Sequence, residues 1–266
     1  MNKFTFIASV CVALFFAACG DDSSSVEPSL EDSSSSVVLS SSSSFSVIPS
    51  SSSVSSPMSW SGGGAGAIGS ITDSRDGQSY KTVSIGTQTW MAQNLNYETA
   101  NSYCYSNTPS NCTKYGRFYT WAAAMDSVGT WSTNGKGCGY NKTCSPTYPV
   151  RGVCPEGWHL PTQTDWNTLF TAVGGQSTAG NMLKSTNGWN SGGNGTDAYS
   201  FSALPAGFRD VSEIFNYEGY YAYFWSSTEY NSTNAYYMYL FYNYDNATLY
   251  RISNGYNGFS VRCVKD

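Results

Sequence analysis

The sequence predicts an α+β fold, arranged as one loop-rich domain over residues 68–266 and cross-linked by disulfides. Apolar residues recur at helical spacing in two segments, 117–125 and 162–174. From residue 198 onward the chain consists of short alternating segments separated by turn residues. The domain also contains six Cys residues, an even number. We therefore expect two main helices with short antiparallel strands.

Residues 1–18 are typical of a secretory signal peptide. Lys3 precedes an apolar run, 4–16, that is too short to span a bilayer as a mature helix. Small residues stand directly before Cys19, which resembles a bacterial lipobox, in which the Cys becomes the lipidated first residue. An ordinary signal peptide with a chance Cys is the alternative. We expect Cys19 to anchor the protein in a membrane, as an outer-membrane lipoprotein at the cell surface or on the periplasmic face.

Residues 19–67 are predicted to form a disordered tether. Between residues 23 and 61, 22 of 39 positions are Ser, and such a segment buries too little apolar surface to offset its chain entropy. As a flexible coil this stretch reaches roughly 35 Å. The tether has five acidic and no basic residues, which leaves residues 68–266 with 13 acidic and 12 basic ones. The near-neutral domain excludes nucleic acid as a partner, because phosphate binding needs a basic surface.

The six domain cysteines predict three disulfides, since exported chains with an even count usually pair them. Fifteen pairings are possible. Spacing favours two short loops, Cys104–Cys112 and Cys138–Cys144, which leaves Cys154 with Cys263. Zinc binding is a poor alternative, because no two cysteines have the spacing of a zinc ligand pair and His159 is the only His.

Local patterns assign the elements in chain order. Residues 79–91 alternate around Gly86-Thr87 and predict a hairpin with Val83, Ile85 and Trp90 in the core. Residues 117–125 predict the first helix. Thr162 and Asp165 form a capping box for the second helix, whose buried stripe is Trp166, Leu169, Phe170 and Val173. A shorter helical turn is expected at 178–184.

The C-terminal third predicts a meander of strands. Residues 235–242 place Met238 and Leu240 on one face and Tyr237, Tyr239 and Phe241 on the other. Residues 243–246 predict a turn, and residues 247–252 predict the strand that follows it. One last strand, 258–264, is expected to bury Phe259, Val261 and Cys263.

Several motifs resemble the Fibrobacter succinogenes major paralogous domain, a family of unknown biochemical function found on exported proteins. The resemblance covers about residues 70–266 and rests on these segments: DSRDGQSYKTVSIGTQTWMAQNLNY (73–97), KYGRFYTWAAAM (114–125), GVCPEGWHLPTQTDWNTL (152–169), FSALPAGFR (201–209), FWSSTEY (224–230) and FSVRCVKD (259–266).

More distantly, HLPTQTDW, GFR and the final RC are similar to the C-type lectin-like fold, especially its branch with formylglycine-generating enzymes and phage receptor-binding proteins. The resemblance implies that fold, and a disulfide between a Cys near the second helix and one on the last strand. It does not imply the enzyme's copper chemistry, because residues 202–262 contain no Cys. Calcium-dependent sugar binding is not implied either, because the lectins' Glu-Pro-Asn, Gln-Pro-Asp and Trp-Asn-Asp motifs are missing.

No set of residues in the sequence indicates catalysis. His159 is the only candidate base and is expected to be structural. Glu213, Glu218 and Glu229 are the carboxylates from which a glycosidase pair would have to come, and their spacing does not favour it. We therefore predict a protein that is not an enzyme and needs no cofactor or metal. Calcium at the turn near Asp197 is the one cofactor left open.

The stretch 215–257 is dense in Tyr and Asn, a composition typical of binding surfaces. Strand alternation should bury about half of these Tyr residues. We predict a lipid-anchored, non-catalytic surface module that binds an extracellular polysaccharide or protein. A surface hydrolase or formylglycine-generating-like enzyme, and a structural envelope protein without a ligand, are the alternatives. The predicted ligand-binding residues are Tyr230, Asn231, Asn234, Tyr242, Asn243, Tyr244, Asp245, Tyr250 and Tyr256.

Overall fold

The computed structural model describes residues 66–266, and they form two β-sheets with four short helices packed against them. The helices are α1 (Pro109–Tyr115), α2 (Trp121–Ala124), α3 (Gln163–Ala172) and α4 (Gln176–Leu183). The strands are β1 (Ile68–Thr72), β2 (Ser79–Ile85), β3 (Gln88–Met91), β4 (Ser102–Tyr103), β5 (Phe118–Thr120), β6 (Trp158–His159), β7 (Phe208–Arg209), β8 (Phe215–Asn216), β9 (Tyr221–Asn231), β10 (Asn234–Phe241), β11 (Ala247–Ser253), β12 (Gly258–Ser260) and β13 (Val264–Lys265).

The strands assemble into a five-stranded and an eight-stranded sheet. The smaller sheet has the order β1-β2-β3-β13-β6, with antiparallel pairing throughout. The larger sheet runs β11-β10-β9-β12-β5-β4, and β7 and β8 extend from β12. Its pair β12–β9 is parallel, at Ser260 opposite Phe224.

The predicted C-type lectin-like α+β fold is therefore wrong. Across residues 66–266 the chain is mostly β, with thirteen strands in two multi-stranded sheets rather than two main helices with a few short strands. The expected helix over 117–125 shows the physical reason. Phe118–Thr120 pairs with both β12 and β4, so sheet hydrogen bonds replace the first helical turn. Helix α2 begins only at Trp121, where the Thr120 hydroxyl accepts the Ala123 N–H.

The other local predictions agree with the structure more closely. The β2–β3 hairpin turns at Gly86, whose φ of +60° suits Gly, and Val83, Ile85 and Trp90 are buried. Helix α3 begins with the predicted Thr162–Asp165 capping box. The predicted turn at 178–184 is a full helix, α4. The predicted strands at 235–242 and 247–252 correspond to β10 and β11.

The last predicted strand, 258–264, is instead two strands in different sheets. β12 lies in the larger sheet and β13 in the smaller one, and the intervening residues Val261 and Cys263 are fully buried as expected. The backbone carbonyls of these two residues accept the N–H groups of Leu95 and Met91, respectively. The C-terminal segment therefore crosses from one sheet to the other through the core.

Two large apolar clusters each join both sheets. One gathers Trp90 of the smaller sheet, Phe224 of the larger sheet and the α3 stripe, with Trp90 and Trp166 ring centres 4.7 Å apart. The other joins Tyr80 and Met91 to Trp225 and Phe259 beside α2. Since both clusters draw on both sheets, each of them ties the smaller sheet to the larger one.

The three expected disulfides are confirmed: Cys104–Cys112, Cys138–Cys144 and Cys154–Cys263. The third spans 109 residues and connects the segment before β6 to the crossing between β12 and β13. It therefore constrains far more of the unfolded chain than the two short loops.

We predict that replacing Cys154 and Cys263 together by Ala lowers the free energy of unfolding by about 5 kcal/mol, since the chain-entropy model scales with the logarithm of loop length. The matched pair Cys104→Ala with Cys112→Ala, which opens a separation of 8, should lower it by only about 2.5 kcal/mol. Guanidinium unfolding under oxidising conditions measures both. Equal losses for the two pairs would contradict the proposed role of the long loop.

Candidate functional site

The nine predicted ligand residues lie in three places along the β9–β10–β11 meander. One group, Tyr230, Asn231 and Asn234, surrounds the β9–β10 turn. The segment 242–245 occupies the β10–β11 turn, at the other end of an eight-residue strand, about 26 Å away. Tyr250 is exposed in the middle of β11, and Tyr256 is exposed in the loop after it. These residues therefore do not form one compact site.

At the β9–β10 turn the polar groups bond mainly to one another. The Asn231 side-chain oxygen accepts bonds from the Thr233 N–H and hydroxyl and from the Asn234 amide. Tyr230 stacks with the Arg251 guanidinium, whose carbon lies 4.4 Å from the ring centre. This turn is consequently organised by its own contacts.

The β10–β11 turn is held in place from below by α4. Lys184, at the end of that helix, is buried and donates to the carbonyls of Tyr242 and Tyr244, both at 3.1 Å. Burial lowers the pKa of Lys184, and nearby Asp245 opposes that shift. Gly180 brings the helix so close to the turn that a Cβ there would lie 2.4 Å from the Asn246 carbonyl oxygen. The turn is thus rigidly placed.

A ladder of aromatic rings covers one face of β9 and β10. Cross-strand neighbours stack on each other: Tyr221 on Phe241 with ring centres 4.4 Å apart, and Tyr223 on Tyr239 at 5.9 Å. Exposed rings continue the ladder at its outer end, where Tyr217 lies 5.4 Å from Tyr221 and Tyr244 lies 5.0 Å from Phe241. We call these six residues the aromatic platform: Tyr217, Tyr221, Tyr223, Tyr239, Phe241 and Tyr244.

The platform is anchored at one end and open at the other. At the inner end Tyr223 packs against the buried ring of Phe259, at 5.0 Å. Tyr221, Tyr239 and Phe241 are half-buried, whereas Tyr217 and Tyr244 are 55% and 52% exposed. Alternation in the sequence placed Tyr239 and Phe241 on one face, but only the structure shows that this face stays partly open.

Two hydroxyls of the platform, those of Tyr221 and Tyr223, have raised pKa values. Burial raises the pKa of Tyr223 far above its usual range, and the surrounding Tyr rings raise it further. The same two causes raise the pKa of Tyr221. Each of these hydroxyls therefore offers both a donor and an acceptor beside an apolar ring.

Two polar clefts are lined by no residue of the platform, and no sequence motif indicated either of them. The first, of about 860 Å³, is lined by β2, α1 and the loops around Asn187 and Asp197. The second, of about 840 Å³, is lined by residues from Arg75 through Arg117. Their lining residues are distant in sequence and individually ordinary, so no local motif could have indicated them.

His159 sits between two carboxylates. Its Nδ1 lies 2.8 Å from an Asp266 carboxylate oxygen, and its Nε2 lies 3.5 Å from Asp165. Burial lowers the pKa of His159, but the hydrogen bonds to the two carboxylates outweigh it and leave the pKa raised. Burial raises the pKa of Asp165, but hydrogen bonds from His159 and from the Thr162 hydroxyl and N–H outweigh it and leave the pKa lowered. Both ring nitrogens are engaged, which is the arrangement of a structural ion pair.

The three carboxylates considered for a glycosidase pair are held apart in separate contacts. Glu213 pairs with Arg209 at 3.1 Å. Glu218 accepts from the Tyr115 hydroxyl at 2.7 Å. Burial raises the pKa of Glu229. None of the three lines either cleft.

Within residues 66–266 no cluster of three or more His, Cys, Asp or Glu side chains is arranged to hold a metal ion. Asp197, considered for calcium, instead accepts the Ser202 N–H and hydroxyl. In the same range, no helix is both long and apolar enough to cross a membrane. The predicted signal peptide, Cys19 and nearly all of the tether fall outside the described residues.

Comparison with known proteins identifies one family. The model for the Fibrobacter succinogenes major domain matches residues 83–265. This range includes the whole larger sheet, all three disulfides and the aromatic platform, but not β1 or the first half of β2. Neither a curated protein nor a solved structure matches the chain.

We predict that Lys184→Met lowers the free energy of unfolding by about 2 kcal/mol, because it leaves buried carbonyls of the β10–β11 turn without a donor. Amide exchange of Asn181, whose N–H donates to Asp245, should accelerate with it. Lys142→Met, on an exposed loop, is the control and should change neither quantity. Increased stability of K184M would mean that burying this charge costs more than its hydrogen bonds contribute.

A second prediction concerns pH. The folded pKa of His159 is raised, so its contribution is fully present below the unfolded pKa of about 6.5 and is lost as pH rises through the folded pKa. We expect the stability difference between the native chain and His159→Gln to shrink by about 1 kcal/mol from pH 5.5 to pH 9. Urea unfolding at four pH values measures it. A difference that stays constant with pH would show that the ion pairs contribute nothing.

Proposed function

The chain belongs to the Fibrobacter succinogenes major domain family, and we propose that it is a lipid-anchored, non-catalytic surface module that binds an extracellular polysaccharide. One observation carries this proposal: the aromatic platform, in which rings stacked across β9 and β10 are joined at their outer end by the exposed, edge-on rings of Tyr217 and Tyr244. The domain needs no cofactor for such binding, because stacking and hydrogen bonding supply the contacts.

The geometry of the platform suits a sugar chain. Aromatic rings give large contact areas at low entropic cost, and they stack on the apolar faces of sugar rings. Tyr221 and Phe241 lie directly opposite each other on paired strands, so their positions are set by the sheet and not by a mobile loop. A preorganised surface loses little conformational entropy on binding.

The chemistry of the surface supports an uncharged ligand. Burial raises the pKa of Tyr221 and of Tyr223 further above neutral pH, so these two hydroxyls carry no charge. No Lys, Arg, Asp or Glu belongs to the platform itself. A polysaccharide presents hydroxyls that can both donate and accept, which matches this surface better than a charged ligand does.

The N-terminal sequence supports surface display. A signal segment at 1–18, a lipidation site at Cys19 and a Ser-rich tether would place the domain roughly 35 Å from an outer membrane. Such a distance gives the platform access to an extended polymer outside the cell. The engagement of both His159 nitrogens by carboxylates supports a binding role over a catalytic one.

The test is a polysaccharide binding screen with the oxidised chain from residue 19 onward, carrying Cys19→Ser so that no lipid is attached. The variant Tyr217→Ala with Tyr244→Ala removes the two exposed rings of the platform, and we expect it to weaken binding by about tenfold or more. The control removes two exposed Tyr rings elsewhere, Tyr140→Ala with Tyr148→Ala, and should leave binding unchanged.

Equal binding by the two variants would place the ligand off the platform. Absence of binding to every polysaccharide, together with capture of a defined protein that the platform variant loses, would replace the carbohydrate ligand by a protein. If neither polysaccharide nor protein binds, the domain is a structural part of the envelope.

A further inference from the structure

The two polar clefts are neighbours on the surface of the domain. They share four lining residues, among them Gln78, Asn96 and Thr113. We call the combined feature the polar groove. None of the six platform residues lines it, so the polar groove and the aromatic platform are separate surfaces.

Two side chains that line the clefts have a buried polar atom without a partner. The Asn96 side chain, which lines both clefts, donates to Gln78 at 2.9 Å, and its Oδ1 has no donor within the described chain. Arg75 lines the second cleft, and its Nη1 has no acceptor there. Unsatisfied buried polar atoms are costly, so each of them favours a local rearrangement that lets a water or a ligand reach it.

Backbone strain is concentrated on another wall of the polar groove. Asp197, Ser200 and Ser202 all have positive φ values of 48°, 57° and 54°, which L-residues adopt at a cost. The segment is held by the Asp197 carboxylate and by Arg262, which is fully buried and donates to the Ser202 carbonyl at 2.8 Å. Strain that the surrounding structure maintains in this way is typical of functional sites.

The charges along the polar groove are largely neutralised. Arg75 pairs with Asp73 and Arg117 with Glu98, both at 2.6 Å, and Lys114 lies 3.4 Å from Glu218. The remaining lining is rich in amides and hydroxyls. The walls therefore offer many hydrogen bonds with little net charge, which excludes a strongly ionic ligand and favours a neutral one rich in hydroxyls.

The geometry points to the polar groove as a second binding site, one that takes a short neutral oligosaccharide segment. Hydroxyl groups can both donate to and accept from the exposed amide side chains of the lining, such as Gln93 and Asn187. The site uses hydrogen bonding within a cleft, whereas the platform uses stacking on an open face. It does not depend on the platform being a binding surface.

A steric block tests the site. Thr113 is exposed on α1 and lines both clefts, so Thr113→Trp fills the junction without disturbing the core. Thr143→Trp, on the exposed Cys138–Cys144 loop, is the matched control. The probes are cellohexaose, xylohexaose, mannohexaose and hexagalacturonate, titrated by calorimetry into the oxidised Cys19→Ser chain from residue 19 onward.

In the chain that carries Tyr217→Ala with Tyr244→Ala, which removes binding at the platform, we expect at least one neutral hexasaccharide still to bind. T113W should weaken this binding by more than about tenfold, and T143W should leave it unchanged. Equal binding by T113W and T143W, or binding of hexagalacturonate alone, would overturn the proposal. So would the absence of binding by every hexasaccharide. If the platform variant does not affect polysaccharide binding, only the proposed function is contradicted. The polar groove is tested by T113W instead, so the two proposals can fail independently.

Discussion

The passage of the C-terminal segment through the core is the constraint on which the rest of the structure depends. Residues 258–260 pair within the larger sheet and 264–265 within the smaller one, so only three residues connect the two sheets at this point. Backbone hydrogen bonds and the Cys154–Cys263 disulfide fix the crossing. Because β12 also lies between β9 and β5, the strands that carry the aromatic platform are positioned by the same segment.

Two buried cations are held without a carboxylate in hydrogen-bonding contact, and each organises a different surface. Arg262 bonds to Asn94 and to the carbonyls of Phe201 and Ser202, and burial lowers its pKa to about 9. Lys184 bonds to carbonyls of the β10–β11 turn. A buried cation is tolerated when several oriented dipoles surround it. Arg262 thereby fixes a wall of the polar groove, and Lys184 fixes the turn that ends in Tyr244.

Sequence reasoning succeeded where the determinants are local. The Thr162–Asp165 capping box and the turn at Gly86 follow from short-range hydrogen bonding and backbone freedom. It failed where distant strands compete with local preference. The run after Arg117 has helical spacing, but pairing with β12 and β4 makes its first part a strand. Alternation from 258 to 264 gives no sign that the chain changes sheets, because burial on both sides of the crossing looks the same in sequence.

The two candidate sites also differ in how much of each could be predicted from the sequence. Composition indicated that the Tyr-rich third would carry exposed rings, and alternation assigned Tyr239 and Phe241 to one face. Neither shows which part of a face remains uncovered, since that depends on elements packed above it. The polar groove had no signal at all, because its walls come from β2, α1 and loops more than a hundred residues away. Only the three-dimensional arrangement places an unpartnered amide oxygen and a strained loop in the walls of the polar groove.

The aromatic platform has inner rings that pack on the core and outer rings that are exposed to solvent. Rings at the inner end, such as Tyr223, pack on Phe259 and contribute to the core, while Tyr217 and Tyr244 remain about half exposed. Each ring is supported by the one beneath it, so the outer rings have fixed orientations although they face solvent. Ring stacking of this kind contributes about 0.5–1.5 kcal/mol per pair beyond burial. The rings lose most of their conformational entropy when the protein folds. A ligand that stacks on the outer rings therefore binds with little further loss of entropy.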